Sequence, residues 1–247
     1  MNNEQSSNNY GMNWEAILEK EKTLDFFFNV TIPAAKKRGE PVPHTLILCK
    51  YPRLRKLIAL KIADAYDQHA IKNINFMDLQ LGDIVSALTS VDNRSIVCVE
   101  DGVAINRLKP KAYEVLQQAI IDFCIDVEIG RGPGTHSINI TVPPFSFVIF
   151  YEDRSKIRTG LSSCFDNVIE VEAFTDSEIC VMEIHAVAQD RGISFEKEAV
   201  NVVINAAKGN WKMAGKYVRW ISDYVVVNGE RYAIIPKEYA EKVVALY

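Results

Sequence analysis

No C-x-x-C pair occurs among the five cysteines, Cys49, Cys98, Cys124, Cys164 and Cys180, and the four histidines, His44, His69, His136 and His185, are scattered. Those spacings give neither a disulfide framework nor a zinc site, so the thiols are expected to be reduced. Positive charge is not in excess: 28 Lys and Arg against 32 Asp and Glu leave a net charge of −4. That balance argues against nucleic-acid binding through bulk charge and leaves only local basic patches open. No signal peptide and no apolar run of membrane-spanning length is visible, so a soluble, cytoplasmic chain without a membrane partner is expected. The most consequential absence is local. The loop Lys50-Tyr51-Pro52-Arg53 contains no glycine.

What surrounds that loop gives the absence its meaning. Thr45 to Cys49 is a short apolar run that reads as a buried strand, and Leu54, Leu57, Ile58, Ile62 and Ala65 then recur at helical spacing. In an α/β protein, a first strand passing through a loop into a helix is where backbone N–H groups and a helix N-terminus converge on a phosphate. Wrapping the anion would require G-x-x-x-x-G-K-[ST]. Here Cys49 and Leu54 stand at the two glycine positions, Arg55 replaces the Lys and Lys56 replaces the metal-binding hydroxyl.

The rest of the chain supplies a scaffold. Its 247 residues, 48% hydrophobic and 24% charged, suffice for one large or two modest domains. Residues 1–12, rich in Asn and Ser, predict a flexible tail. Asn13 can cap a helix bearing Trp14, Ile17, Leu18, Leu24 and Phe28, which Pro33 kinks or restarts before the basic end Lys36-Lys37-Arg38. Strands are expected near Ile74 to Met77, Ser95 to Val99, Phe145 to Phe150 and Val168 to Val171, with helices near Gly82 to Leu88 and Lys111 to Ile121. Cys124 to Ile129 and Ser137 to Val142 form a β-hairpin around the tip Gly130-Arg131-Gly132-Pro133-Gly134. Thr175-Asp176-Ser177-Glu178 is a capping box, after which only helices follow. Alternating strands and helices followed by helices alone predict a parallel α/β domain over 13–174 and a helical domain over 175–247.

Several phrases tie this order to a known family. Ala34-Ala35-Lys36-Lys37-Arg38-Gly39-Glu40 with His44 precedes the first strand, and Ile105-Asn106-Arg107-Leu108-Lys109-Pro110 follows an acidic strand end. Glu114-Val115-Leu116 leads to Asp122-Phe123. Gly130-x-Gly132-Pro133, Ser137-Ile138 and Pro143-Pro144-Phe145 then string together across the hairpin. With these words the chain resembles the AAA+ motor of the Holliday-junction branch-migration helicase RuvB, over roughly residues 30 to 246. The resemblance implies an AAA+ P-loop NTPase-like parallel five-stranded sheet with flanking helices, then a small all-helical lid. It also implies that the tip Gly130 to Gly134 docks a RuvA-like partner, although the same glycines would serve a plain turn. RuvB-family chains carry a winged-helix DNA-binding domain after the lid. This chain reaches Tyr247 at the lid's end and is expected to lack it.

Mapped onto these residues, the family's chemistry is altered at separated points. Glu100 stands where the metal-site Asp belongs and Asp101 where the catalytic Glu belongs. One methylene gained and one lost displace each carboxylate by more than about 1 Å, which costs on the order of 10²-fold in positioning. Gly102-Val103-Ala104 is an insertion after that pair. Phe150-Tyr151-Glu152-Asp153 replaces the region of the polar sensor, and Ser162-Ser163-Cys164-Phe165 replaces R-D-R-F, the arginine finger. Gly209-Asn210-Trp211-Lys212 keeps a charge, on Lys212, where the second sensor is an Arg.

Three readings stay open. One is a non-hydrolysing structural or regulatory subunit in DNA recombination, repair or replication, with an AAA+ paralogue or a RuvA-like protein as partner, DNA reached through partners, and a possible oligomer. Another is a protein-binding adaptor with no tie to DNA. The third is an ATP-dependent helicase subunit whose Lys50, Arg53, Arg55, Lys56 and Lys61 grip phosphates by side chains alone. That cluster also reads as a solvated helix face or as a contact for DNA phosphates. No cofactor and no metal is expected, ATP and Mg²⁺ entering only if the altered site still binds them.

Overall fold

The structure, a computed structural model, describes residues 14–66, 71–77, 79–129, 136–228 and 234–247. The expected tail over 1–12, the Asn13 cap and the hairpin tip Gly130 to Gly134 all lie outside the described residues.

A five-stranded parallel sheet carries the larger unit, Lys22–Val171. Its strands are β1 (Thr45–Cys49), β2 (Ile71–Asn73), β3 (Ile96–Val99), β6 (Ser146–Tyr151) and β7 (Asn167–Val171), in the order β2-β3-β6-β1-β7. The hairpin strands β4 (Cys124–Ile129) and β5 (His136–Thr141) pair only with each other. Every residue of β1, β3 and β6 is buried, which is why these strands read as unbroken apolar runs and not as alternation. Register sets Ile47 beside Phe150 on one flank and Ile169 on the other. Three aromatics pack inside: Phe147 lies 6.2 Å from Phe76, edge to face, and 6.0 Å from Phe165, tilted, ring centre to ring centre. Each such buried side chain contributes roughly 1.5–3 kcal/mol.

The expected strand near Ile74 to Met77 is corrected by this packing. β2 ends at Asn73 and residues 74–77 are irregular. The apolar signal there reports Phe76, 1% exposed against Phe147, and not strand pairing.

Pro33 acts upstream. Helix α2 (Lys22–Phe26) passes into one π-helical turn, Phe27–Thr31, before α3 (Ile32–Arg38). Ile32 N–H reaches back five residues to the Phe27 carbonyl, and the next residue, Pro33, has no N–H to offer the preceding turn. A wider turn absorbs that lost bond. Gly39, at φ 69°, closes α3 in the left-handed conformation. The remaining helices of this unit are α4 (Pro52–Tyr66), α5 (Leu81–Thr89) and α6 (Pro110–Asp122).

The second unit comprises Glu172–Tyr247 together with the segment ending at Glu21. It includes α1 (Trp14–Lys20), α7 (Asp176–Asp190), α8 (Lys197–Ala207), α9 (Trp211–Val227), α10 (Lys237–Val244) and a two-residue parallel pair, β8 (Ser194–Phe195) with β9 (Ile234–Ile235). Both halves of the expected capping box form: Thr175 Oγ1 accepts from Glu178 N–H at 3.2 Å, and Glu178 accepts from Thr175 N–H at 2.9 Å. Lys20 pairs with Glu178, and Glu21, buried, accepts from Ala173 N–H at 2.6 Å. These two contacts bind α1 to the start of the C-terminal helices.

His44, 8% exposed, closes the lower end of β1. Its Nδ1 accepts from Phe147 N–H at 2.9 Å, which requires a neutral ring. Burial depresses its pKa from the ordinary 6.5, against smaller opposing contributions from a backbone bond to Ile120 and from Asp166. The unfolded chain therefore takes up a proton that the folded chain refuses. Stability is full above about pH 6.5 and falls as pH drops through the lower folded value. Melting temperatures between pH 7.5 and 5 are expected to fall less steeply in His44→Gln, which keeps an acceptor but does not titrate. An identical slope in both proteins would contradict this.

Candidate nucleotide site

At the upper edge of the sheet only Lys50 and Tyr51 join β1 to α4. Pro52 occupies the first helical position, where its fixed φ is favourable and its missing N–H costs nothing. Counted along the eight-residue phosphate motif, α4 thus begins at the fourth position. Arg55, where the motif has its lysine, lies a full turn inside, and its N–H donates to the Tyr51 carbonyl at 3.1 Å. Cys49 Sγ approaches the same carbonyl at 3.5 Å. Tyr51 and Leu54 are each 1% exposed, so bulky side chains fill the turn that glycines would leave open.

The two cations following the turn differ in their surroundings. Lys56 is exposed. Arg55 contributes to a charged cluster at the end of β6, where the Glu152 carboxyl is held below the ordinary carboxylate range by its hydrogen bond from Lys156 first, and by the Arg55 charge as well. Among the described residues no hydrogen bond or ion pair joins Arg55 or Lys56 to Glu100 or Asp101.

Glu100 and Asp101 are both exposed at the end of β3. Asp101 is engaged as a cap: its Oδ1 accepts from Val103 N–H at 3.1 Å and opens a 3₁₀ turn over Gly102–Arg107. Glu100 stands on the wall of a cleft of about 280 Å³ with Phe76, Met77 and Cys98. The Cys98 thiol is pushed up to about 12, by burial first and by Glu100 second. Among the described residues there is no cluster of three or more His, Cys, Asp or Glu side chains arranged to hold a metal.

The inserted Gly102-Val103-Ala104 proves to be structural. A Cβ on Gly102 would lie 2.3 Å from a ring carbon of Tyr151, so this position needs glycine for space. Tyr151 is fully buried, with its hydroxyl 3.4 Å from Asn106 Oδ1. Asn106 Nδ2 donates to the Lys156 carbonyl at 2.8 Å. Arg158 Nη1 donates to the Leu108 and Ile105 carbonyls at 2.9 and 3.2 Å, while its guanidinium lies 3.8 Å from the centre of the Tyr113 ring. Reading the sequence missed this clamp. The available signal was a glycine inside an insertion, opposite a tyrosine where the family has a polar sensor.

The Ser162–Cys164 turn carries no cation. Ser163 Oγ donates to the Gly160 carbonyl at 2.8 Å, and Cys164 is buried. Lys212 lies on α9 of the other unit. There Asn210 caps the helix by accepting from Lys212 and Met213 N–H, and Lys212 Nζ sits 5.4 Å from the Trp211 ring centre. The proposed docking residues Gly130, Arg131, Gly132, Pro133 and Gly134 lie outside the described residues. The strands leading to them pair antiparallel, with Ile129 opposite His136, and Ile138 is 46% exposed.

A parallel five-stranded sheet with a strand–turn–helix at its first βα junction, accompanied by a helical unit, defines an AAA+ architecture of the P-loop class. Comparison with known proteins narrows this. Residues 16–170 match the Holliday junction DNA helicase RuvB P-loop domain, and the chain belongs to that family. It is 28% identical over 224 residues to the Holliday junction branch migration complex subunit RuvB of Granulibacter bethesdensis, covering 87% of this chain and 61% of that protein. The corresponding subunit of Koribacter versatilis is 26% identical over 214 residues, covering 86% and 58%. The chain thus spans about three fifths of the length of these curated relatives. Among solved structures, the Thermotoga maritima RuvB Holliday junction branch migration motor superposes with a TM-score of 0.69 at 21% identity, covering 96% of this chain and 70% of that one.

The Tyr151–Gly102 contact yields a prediction. Gly102→Ala is expected to destabilise the protein by about 1–3 kcal/mol through overpacking. Urea unfolding should show the penalty shrinking when Tyr151→Leu is present as well, because the two residues share one space. Additive losses would disprove the contact.

Proposed function

We propose that this chain is a RuvB-like subunit that no longer hydrolyses ATP and serves a structural or regulatory role in DNA recombination, repair or replication. One observation carries the reading: the Arg55 N–H is spent on the Tyr51 carbonyl, with Tyr51 and Leu54 buried around it. A triphosphate needs backbone N–H groups turned outward around a glycine-lined hollow, and these residues do not fit one. Asp101 is engaged as a cap, and a turn without a guanidinium stands at the finger position. The finger alone is worth about 10³ to 10⁵ in rate where it operates.

The curated relatives are named as subunits of a branch migration complex, which favours a role inside an assembly. An AAA+ paralogue or a RuvA-like protein would then supply motor and grip, in an oligomer that reaches DNA through its partners. The exposed Ile138 on the hairpin strand favours a second reading, an adaptor that binds protein without DNA.

Phosphate release from ATP is expected to stay at background with four-way DNA present, and Glu100→Gln should leave it unchanged. Turnover that Glu100→Gln abolishes would overturn the proposal. Binding to forked or four-way DNA in the presence of partner subunits, strong at 50 mM salt and weakened at 200 mM, separates the subunit from the adaptor, because phosphate contacts release counterions. Salt-insensitive or absent binding supports the adaptor.

A further inference from the structure

The opposite edge of the sheet carries a cleft that the nucleotide question leaves untouched. All five strands run parallel, so the segments entering β1, β6 and β7 converge there. Pro43 and His44 precede β1, Pro144 and Phe145 precede β6, and Asp166 precedes β7. The end of α6 and the Ser162–Cys164 turn complete the walls. The cleft measures about 490 Å³, within the range of sites that enclose a side chain or small ligand.

Its chemistry is divided. Ile121 is 58% exposed at the rim, continuous with Phe123 and Pro144. Two carboxylates flank this apolar surface. Glu40 already holds Arg38, Nε to Oε2 at 2.5 Å. Asp166 is exposed and makes no ion pair or hydrogen bond among the described residues. His44 cannot supply the missing cation: its Nδ1 is an acceptor and burial keeps the ring neutral. The neighbouring Cys164 thiol is likewise held protonated by burial. An apolar wall beside one uncompensated carboxylate is complementary to a cation on an apolar stem.

We propose that this cleft receives an arginine or lysine side chain from an apolar segment of a protein partner, with the stem against Ile121, Phe123 and Pro144 and the charged end on Asp166. The turn that stands at the family's arginine-finger position would then line a socket that accepts a cation where its counterpart donates one. This inference is independent of whether ATP is bound or cleaved.

Methyl-detected NMR with phenethylguanidinium as the probe and phenethyl alcohol as the uncharged control tests it. The cation should produce saturable shifts at the Ile120 and Ile121 methyls. Asp166→Asn, or use of the alcohol, should weaken binding by about fivefold, the upper end for an exposed ion pair. Ile121→Lys, on an exposed position that does not threaten folding, should abolish it. Equal response to cation and alcohol, unchanged affinity in Asp166→Asn, or shifts confined to other methyls would each overturn the proposal.

Discussion

The hydrogen bond from Arg55 N–H to the Tyr51 carbonyl, at 3.1 Å, is the constraint from which the upper edge of the sheet follows. By itself it is worth about 1 kcal/mol. Its force comes from what accompanies it, since freeing that N–H to face an anion would unwind the first turn of α4 and expose Tyr51 and Leu54. At roughly 1.5–3 kcal/mol for each side chain, that amounts to about 3–6 kcal/mol. Micromolar binding is worth about 8 kcal/mol in total. Reopening the turn would therefore weaken a nucleotide by about two to four powers of ten before any contact was lost.

Further down the same edge, residues following β3 and β6 are built into the architecture. Asp101 caps a 3₁₀ turn, Gly102 makes room for Tyr151, and Arg158 is held between two backbone carbonyls and the Tyr113 ring. These groups now stabilise the connection between β3 and α6. A family fold persists here because its sheet is secured by fully buried strands, and burial of that kind does not depend on what the loops above it bind.

Much of the fold was legible in the residues. Strands buried on both faces announce themselves as unbroken apolar runs, as Thr45–Cys49 and Ser146–Tyr151 do. The Thr175 capping box marks the start of its helix, with Glu178 at the third helical position. The absence of glycines around Tyr51 was equally plain. What fills the turn was not, because a tyrosine in a short loop carries no mark of being 1% exposed. β2 was misplaced for a related reason: Phe76 is apolar because it meets Phe147, and alternation cannot distinguish that from pairing. The π-helical turn before Pro33 and the fit of Tyr151 over Gly102 depend on contacts between distant residues, which a periodic pattern does not encode.

Isothermal titration with ATP and Mg²⁺ tests the central claim most directly, because it reads the phosphate site before any chemistry occurs. A closed first turn predicts no saturable heat at nucleotide concentrations up to the millimolar range. A micromolar dissociation constant, lost on Arg55→Ala or Lys56→Ala, would contradict it and establish a phosphate grip built from side chains alone.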